Sequence, residues 1–501
     1  MRLGTKHPNQ QTVVRSDFSG GLNTAAAIEG IAENQLAEVI NMEIDHSTGR
    51  LKTVGGTADV LLHDDIYAVI YDSINKRFLV VLEDKTVHLA TMQDGTIGES
   101  LGTLTGDLFP VYTAWEDGVL IASGGKLQYY NGSTLTTIST SPDAQSVYIR
   151  AGRVVITDGD VVRYSGVGDE TDWSEESGDD SSSVWVEAGY KDGGHFLGMA
   201  SLSSDIIIIK DNRHVYRLSG EYPDWSIGEI SRNVECIGRR SYCAVANAVF
   251  LLGKNEVSII QATDQYRDSP PQNVATLITS EIKKLPADTL VRYVPPLGQV
   301  WFIADDGKVL LYDLSSQSWF TRQFNSKVID VISVGAVVYV VKPNRISKID
   351  ENVFYDNDLP LEWSFRGQRL VSQHDFLLKR TQISVIPRSP EVYSGEISCG
   401  AVVIDLPVPS QNDLIYGARS LIWKNKAKIS RVGRAKGVYS TGELIYQNTN
   451  MIHGNSKPIF EMRTIIKESR NVFRSKFIDV KGSGSMGGFI LNSIMMDLAE
   501  V

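Results

Sequence analysis

The sequence predicts an all-β protein: an irregular β-propeller-like array of about six or seven blades, followed by a C-terminal β-domain. Short apolar runs such as "DIIIIKD" and "KVLLYDL" are rich in branched side chains and are bounded by Gly, Asp or Asn, which is the pattern of buried strands joined by turns. These runs recur at regular intervals along the chain. A single short N-terminal segment has the spacing of a helix.

The repeated unit has the length of one propeller blade. A unit consists of an apolar strand, a turn, a second apolar strand, and a strand that ends in Tyr or Trp. The mean spacing of the units is roughly 44 residues, and a four-stranded blade needs about 40 to 50. Residues 61–368 are therefore assigned to the propeller-like domain, with a pair of β-sandwiches as the structural alternative. The units begin near Ile66, Pro110, Gln145, His195, Val234, Leu290 and Val328.

The segments on either side of the array have different patterns. Residues 1–60 are predicted to form an N-terminal assembly segment, with a helix over 32–44 because Leu36, Val39 and Ile40 have helical spacing and Asn34 can cap it. Residues 369–501 are predicted to form a β-sandwich-like domain. Within this domain, "GSGSMGG" at 482–488 is interpreted as a flexible connector between two strands.

Composition restricts the functional class. The 501 residues carry 49 basic and 60 acidic side chains, a net charge of −11, which argues against general adhesion to nucleic acid or anionic membranes. Three cysteines, Cys236, Cys243 and Cys399, are expected to be buried and reduced. The N-terminus has no apolar signal-peptide region, and the longest apolar run, near 330–341, is too short to span a membrane. We expect no membrane insertion.

Motifs for catalysis and cofactor binding are missing from the sequence. It contains no G-x-S-x-G elbow and no H-E-x-x-H pair, and "GSGSMGG" has no phosphate-loop lysine. Asp169, Glu170 and Asp172 in "DETD" do not have EF-hand spacing. We therefore predict no enzyme activity, catalytic residues, cofactor or metal. A glycan-binding or glycan-degrading propeller acting on a host surface is the alternative, because the many acidic residues could supply the pair of carboxylates that glycosidases use.

Three passages carry a resemblance to a family. "SDFSGGLNTAAAIEGIAENQLAEVINMEIDHSTGRLKTVGG" (16–56), "RYSGVGDETDW" (163–173) and "FRSKFIDVKGSGSMGGFILNSIMMDLAEV" (473–501) resemble segments of bacteriophage tail tubular and tail nozzle proteins. Lys52 and Thr53 replace the arginine and proline that are usual near the end of the first passage. The matching positions of the first passage are Phe18, Gly20, Gly21, Leu22, Asn23, Asn34, Gln35, Asn41, Gly49, Leu51 and Gly56.

The resemblance implies a virion structural protein of a short-tailed phage. Such a protein would form a ring, expected to be a homohexamer, that extends the DNA channel below the portal and adaptor and helps to retain and then release the genome. The implied partners are further copies of the chain, the head-to-tail adaptor, tail fibre or tailspike proteins, and tail needle or plug proteins. Phage DNA would pass through without sequence-specific binding. The implied location is the virion tail, with the host cytoplasm during assembly.

Candidate residues follow from these interpretations. Asp179 and Asp180 are predicted to form an acidic loop that faces the channel. Asp169 and Trp173 are predicted to belong to a structural loop between blades, and Phe18, Gly20, Gly21 and Asn23 to a structural motif of the family type. The tract 424–437, which contains no acidic residue, is predicted to dock an acidic neighbour, with a solvated strand face as the alternative. Its basic residues are Lys424, Lys426, Lys428, Arg431, Arg434 and Lys436.

Overall fold

A computed structural model describes most of the chain, which divides into two compact units. One unit comprises 57–319 and 323–349, and the other comprises 1–56, 320–322 and 350–501. The predicted boundaries of 1–60, 61–368 and 369–501 are therefore corrected: residues 1–56 and 350–501 belong to a single unit, and the propeller unit begins at residue 57 and ends at residue 349. The described residues are 10–159, 161–176, 179, 181–220, 225–261, 271–388, 394–406, 421–423, 438–440, 443–445, 451–453, 465–485 and 487–500.

The described residues before the propeller form five strands and no helix. These strands are β1 (Gln10–Arg15), β2 (Gly21–Leu22), β3 (Gln35–Ile40), β4 (Met42–Asp45) and β5 (Arg50–Thr53).

The larger unit contains seven sheets of four strands each, which are the blades of a β-propeller. Consecutive strands within each blade are antiparallel neighbours. Strand β6 (Gly56–Leu62) lies far from its blade in sequence and completes blade 7. The other strands are, in blade 1, β7 (Ile66–Asp72), β8 (Arg77–Leu82), β9 (Thr86–Thr91) and β10 (Thr96–Thr103); in blade 2, β11 (Val111–Trp115), β12 (Gly118–Ala122), β13 (Gln128–Tyr130) and β14 (Leu135–Thr137); in blade 3, β15 (Ser146–Arg150), β16 (Arg153–Asp158), β17 (Val161–Tyr164) and β18 (Val184–Glu187); in blade 4, β19 (Phe196–Leu202), β20 (Asp205–Lys210), β21 (Val215–Ser219) and β22 (Ser226–Ser231); in blade 5, β23 (Tyr242–Val245), β24 (Ala248–Leu252), β25 (Val257–Gln261) and β26 (Gln272–Asn273); in blade 6, β27 (Leu290–Val294), β28 (Gln299–Ile303), β29 (Lys308–Asp313) and β30 (Ser318–Gln323); and in blade 7, β31 (Asp330–Val334), β32 (Val337–Lys342) and β33 (Arg345–Asp350).

Apolar side chains between adjacent blades form the core of the propeller. Ile70 and Ile121 belong to the cluster between blades 1 and 2, and comparable clusters join blades 2 to 3, 3 to 4 and 4 to 5. Leu61, Ile66 and Ile332 share a further cluster, which joins blade 7 to blade 1 and closes the ring. The continuous apolar runs in the sequence arise because the strands are covered on both faces. A short helix, α1 (Thr279–Ile282), precedes β27 in the chain, and a 3₁₀ turn (Pro295–Leu297) follows it.

The smaller unit contains the strands that follow the propeller in sequence. They are β34 (Tyr355–Asp356), β35 (Leu359–Pro360), β36 (Glu362–Gly367), β37 (Leu370–Pro387), β38 (Ser394–Cys399), β39 (Val402–Asp405), β40 (Leu421–Trp423), β41 (Val438–Ser440), β42 (Glu443–Ile445), β43 (Met451–His453), β44 (Ile465–Ser469), β45 (Phe473–Ile478), β46 (Val480–Ser485) and β47 (Phe489–Glu500).

This unit has two larger sheets, which also include the strands before the propeller. One has the order β4-β5-β47-β37-β44, with β1 on β47 and β45 on β37, and the other has the order β2-β3-β36-β46-β38-β39. The rings of Trp363 and Phe489, one from each sheet, are 5.0 Å apart and pack edge to face.

The predicted helix over 32–44 is wrong, because this segment forms β3 and β4. Strand β3 pairs with β36, and its register shifts between Leu36 and Glu38. A β-bulge adds one residue to the strand and interrupts its strict alternation. Leu36 and Val39 are therefore both buried, at the spacing of three residues that sequence analysis interprets as helical. Asn41, with a φ of 52°, ends the strand.

The predicted connector at 482–488 is also corrected, because Gly482 and Gly484 lie within β46, between β36 and β38. A Cβ atom at Gly482 would lie 2.5 Å from the Phe365 ring, and one at Gly484 would lie 2.7 Å from the Trp363 ring. The glycines leave space for aromatic rings that lie against the strand. The glycines suggest a flexible segment in the sequence, but in the structure they allow close packing against the two rings.

Candidate functional site

The motif at the start of the chain forms one packed local structure. Phe18 is 3% exposed, and its ring packs edge to face on Phe365 at 6.3 Å. Asn23 Nδ2 donates to Gln35 Oε1 at 2.8 Å. Asn23 Oδ1 accepts from the backbone N–H of Ala25 at 3.1 Å, as in an Asx turn. The buried asparagine therefore holds both the turn that follows β2 and the start of β3.

The glycines of this motif occupy positions that a larger residue would disturb. A Cβ atom at Gly20 would lie 2.7 Å from the Gln35 side chain and 2.8 Å from Asn34 Oδ1. Gly21 has a φ of 59° and donates its N–H to the Phe18 carbonyl at 3.1 Å. A positive φ is a conformation that glycine adopts at low cost. The two glycines of the motif thus allow the chain at Gly20 and Gly21 to lie close to Asn34 and Gln35.

The loop "RYSGVGDETDW" is also held by its own side chains. Asp169 Oδ1 accepts from the Thr171 N–H at 2.8 Å and from the Thr171 hydroxyl at 2.6 Å, and these bonds lower the pKa of the carboxyl. Trp173 Nε1 donates to the Glu170 carbonyl at 2.8 Å. The Trp173 ring packs against the apolar cluster of blades 2 and 3 that includes Trp115. The loop is a compact turn structure, but the prediction that it links two blades is wrong, because it connects β17 to β18 within blade 3.

The charged segments predicted from sequence are described only in part. Asp179 is exposed and accepts from the N–H and the hydroxyl of Ser181, at 2.8 and 2.6 Å; these bonds lower its pKa. Asp180 lies outside the described residues. The tract 424–437, with all six of its basic candidates, also lies outside them.

The propeller encloses a central cavity of about 1070 Å³ that sequence analysis did not predict. Residues from the first strand of every blade, or from the segment just before it, line this cavity. Asp179 is not one of them. The residues used below are Tyr67, Glu83, Phe109, Tyr112, Gln145, Arg239, Arg240, Tyr242, Asp288, Arg292, Asp305, Lys327 and Asp330.

One ion pair crosses from blade 6 to blade 7 in this cavity. Arg292 Nε donates to Asp330 Oδ1 at 2.8 Å, and Nη2 donates to Oδ2 at 3.3 Å. Burial disfavours the charged guanidinium, but the attraction of Asp330 outweighs this effect and raises the pKa of Arg292. Burial also raises the pKa of Tyr112 and Tyr242 to about 12. At neutral pH the tyrosines are therefore uncharged hydroxyl groups beside a closed ion pair.

Two further arginines precede the first strand of blade 5. Arg239 Nη2 donates to the Oε1 atom of Gln145 at 2.8 Å, and Gln145 directly precedes the first strand of blade 3. The Arg240 guanidinium lies 3.7 Å from the centroid of the Phe109 ring, in a cation–π contact, and its Nη2 donates to the Ile329 carbonyl. Burial lowers the pKa of Arg240 to about 10, so the side chain remains charged at neutral pH.

The sequence contains a weak signal for this site. "RR" at 239–240 directly precedes the strand "SYCAV", and "LVRYV" at 290–294 has an arginine in the middle of an apolar strand. A charged residue within a buried strand indicates an ion pair or a functional site. The partners come from blades 2, 3 and 7, so only the closed ring brings them together.

The three cysteines are free thiols; Cys236 and Cys399 are buried as predicted, and Cys243 is partly buried. Burial raises the pKa of Cys236, Cys243 and Cys399 to about 12, so these thiols stay protonated at neutral pH and are poor nucleophiles. Within the described ranges, no cluster of three His, Cys, Asp or Glu side chains could hold a metal ion. No described helix is long and apolar enough to cross a membrane.

The strand topology defines the larger unit as a seven-bladed β-propeller with a charged and aromatic central cavity. No protein-family model and no curated protein matches the sequence. Among solved structures, the chain is similar to BamB from Moraxella catarrhalis, with 9% identity, a TM-score of 0.37, and coverage of 60% of this chain and 83% of that one. YCF48 from Cyanidioschyzon merolae gives 8% identity, a TM-score of 0.41 and coverage of 59% and 98%. The computationally designed protein Ika8 gives 11% identity, a TM-score of 0.37 and coverage of 67% and 99%.

Proposed function

We propose that this chain is a non-enzymatic structural subunit of a short phage tail. Six copies would form a ring that extends the DNA channel and helps to retain and then release the genome. The supporting observation is the packed structure of the N-terminal motif. Residues that match the tail nozzle pattern, among them Phe18, Gly20, Gly21 and Asn23, each make a specific contact or adopt a required conformation. The residues that match the family pattern therefore belong to one defined local structure.

An exposed apolar pair in the smaller unit supports assembly with neighbouring subunits. Val371 on β37 and Phe477 on β45 are cross-strand partners, and they are 57% and 50% exposed. Exposed apolar side chains that adjoin one another mark interaction surfaces. We assign this pair to the contact with the next copy in the ring. Ring contacts are heterologous and close by rotation, so one surface of each copy meets a different surface of its neighbour.

Two charged segments complete the proposal. Asp179, together with Asp180, faces the channel and repels DNA phosphates, and the tract 424–437 docks an acidic tail protein. Reversing Asp179 and Asp180 to lysine is expected to slow genome ejection from assembled particles, because the phosphates would then be attracted to the wall of the channel. Ejection rates that match those of the unchanged particles would remove the acidic loop from the mechanism.

Antibody–gold labelling of purified particles tests the proposed function. We expect the gold label to cluster at the tail. The number of gold particles per tail, together with a measured ring mass of six times 55.3 kDa, tests the six-fold symmetry. Particles without label would overturn the proposal. The alternative, a protein that binds or degrades host-surface glycans, predicts unlabelled particles together with binding or turnover of host polysaccharide.

A further inference from the structure

The central cavity contains two arginines, Arg239 and Arg240, whose direct hydrogen bonds within the described residues go to uncharged acceptors, although Asp330 and Asp288 attract Arg240 through space. Arg239 bonds only to the neutral Gln145 amide, and Arg240 bonds to a backbone carbonyl. Arg240 Nε is buried and has no hydrogen-bond acceptor. A buried donor of a charged group that lacks an acceptor is costly. Because both guanidinium groups line the cavity without a carboxylate at hydrogen-bond distance, a ligand in the cavity could provide one.

The other charges of the cavity are arranged differently. Asp330 is paired with Arg292 by two hydrogen bonds, and Lys327 forms an ion pair with Asp305 at 3.0 Å. Glu83 and Asp288 also line the cavity. None of these carboxylates forms an ion pair with Arg239 or Arg240 within the described part of the propeller. The charged residues that line the cavity are four acidic and four basic, so its charge is balanced, and a ligand with two negative charges costs more to desolvate than one with a single charge.

Aromatic surface lies directly beside the Arg240 guanidinium. The Phe109 ring supports one face of Arg240, and the ring centroids of Tyr67 and Phe109 are 5.5 Å apart. The cavity, at about 1070 Å³, is large enough for a small organic molecule. A planar guanidinium held against a ring presents its N–H groups in the geometry that suits a carboxylate.

We propose that the central cavity of the propeller binds a small organic monocarboxylate. Its carboxylate accepts from Arg240, with Arg239 alongside, and its apolar part lies against Phe109 and Tyr67. This inference goes beyond the proposed tail function and does not depend on it, since it concerns the centre of a single subunit.

Titration calorimetry on the full-length chain at constant ionic strength tests the proposal. Benzoate is the probe, benzamide is the neutral molecule of similar shape, and inorganic phosphate is the anion without an apolar part. Benzoate is expected to bind saturably with one site per chain, and benzamide and phosphate at least tenfold more weakly. Arg240→Gln is expected to weaken benzoate binding by roughly 10- to 100-fold, because a charge-assisted hydrogen bond is lost.

Two further variants keep the test decisive. Arg239→Gln removes a side chain whose one protein hydrogen bond goes to Gln145, and it is expected to weaken benzoate binding severalfold even if Arg240→Gln does not fold. Arg213→Gln is the matched control, because Arg213 lies on the same propeller and its side chain is 58% exposed; it should bind benzoate like the unchanged protein. The proposal would be overturned by no binding of benzoate, by tighter binding of phosphate than of benzoate, or by variants at Arg239 and Arg240 that bind benzoate as tightly as the unchanged protein does.

Discussion

At the scale of single residues, a buried network in blade 4 shows how the propeller accommodates charge. The Lys210 side chain is 1% exposed, and its ammonium donates to Asp192 Oδ1 at 2.5 Å and to the Ala188 carbonyl at 3.1 Å. Tyr216 donates its hydroxyl to Asp192 Oδ2 at 2.8 Å. Burial would raise the pKa of Asp192, but these bonds outweigh it and lower the pKa to about 2. The carboxylate therefore compensates a buried lysine.

Replacing Asp192 by asparagine is expected to destabilise the propeller by roughly 3 kcal/mol at pH 7, because Lys210 would remain buried without its counter-charge. The folded pKa lies below the unfolded value, so the contribution of the carboxylate is complete above about pH 4 and is lost as the pH falls towards 2. Urea unfolding followed by tryptophan fluorescence should show a difference between the two proteins that narrows from pH 7 to about pH 2.5. Asp64→Asn, at an exposed position, is the control, and a difference independent of pH would contradict the assignment.

Glycines inside β46 lead to a second prediction at this scale. Gly484→Ala is expected to cost about 1 to 3 kcal/mol, because the new methyl group would meet the Ser394 backbone and the Trp363 ring. Gly228→Ala is the matched control, since Gly228 also lies in a strand but has open space around its Cβ position. Thermal unfolding of both variants checks this. Equal melting temperatures would show that the Trp363 contact does not require a glycine.

At the scale of elements, the closing strand β6 decides whether blade 7 is complete. It is the fourth strand of that sheet although it precedes all the others in sequence. Asp59 on β6 accepts from Arg345 Nη1 at 2.7 Å and from the Ser347 hydroxyl at 2.7 Å, both on β33. Leu61 enters the cluster between blades 7 and 1. The two ends of the propeller segment are thereby joined in one sheet.

Two adjacent leucines separate the packing role of β6 from its backbone pairing. Leu61 is 1% exposed and Leu62 is 63% exposed. Leu61→Ala is expected to destabilise the propeller by about 2 to 5 kcal/mol, because it leaves a cavity where the ring closes, whereas Leu62→Ala should change stability by less than about 0.5 kcal/mol. Urea unfolding measures both values. Similar losses in the two variants would mean that Leu61 does not contribute to closure through packing.

At the scale of the whole molecule, the exposed pair Val371 and Phe477 is the surface that we assign to the proposed contact between copies. Phe477 is also covered on one side by the Arg369 guanidinium, 5.1 Å from the ring centroid. An aromatic ring beside an arginine is a frequent composition of interface centres. In the proposed ring, burial of this pair against the next copy would contribute to the assembly free energy.

The double change Val371→Glu and Phe477→Glu is expected to reduce incorporation into particles at least tenfold, because two carboxylates would be buried without partners at the contact. Immunoblots of particles that received the variant in place of the unchanged protein measure this. Val167→Glu, at a 53% exposed propeller position, is the control for added charge. Normal incorporation of the double variant would place the subunit contact elsewhere.

The sequence by itself determined the class of fold and the approximate number of blades. Apolar runs bounded by turn residues depend on local physical chemistry, namely burial on both faces and the conformational preferences of Gly, Asp and Asn. The predicted array of six or seven blades is confirmed as a propeller of seven blades. Six of the seven predicted unit starts lie within a few residues of the first strand of a blade, and Val234, which precedes β23, is the outlier.

The tertiary structure decided the features that depend on distant segments. The spacing of Leu36 and Val39 reflects a bulge opposite β36, and Gly482 and Gly484 accommodate the Phe365 and Trp363 rings; each partner lies more than one hundred residues away. The central cavity depends on all seven blades, because Arg240 meets Phe109 and Ile329 only when the ring closes. Local periodicity contains no information about such partners, since chain closure and packing bring them together.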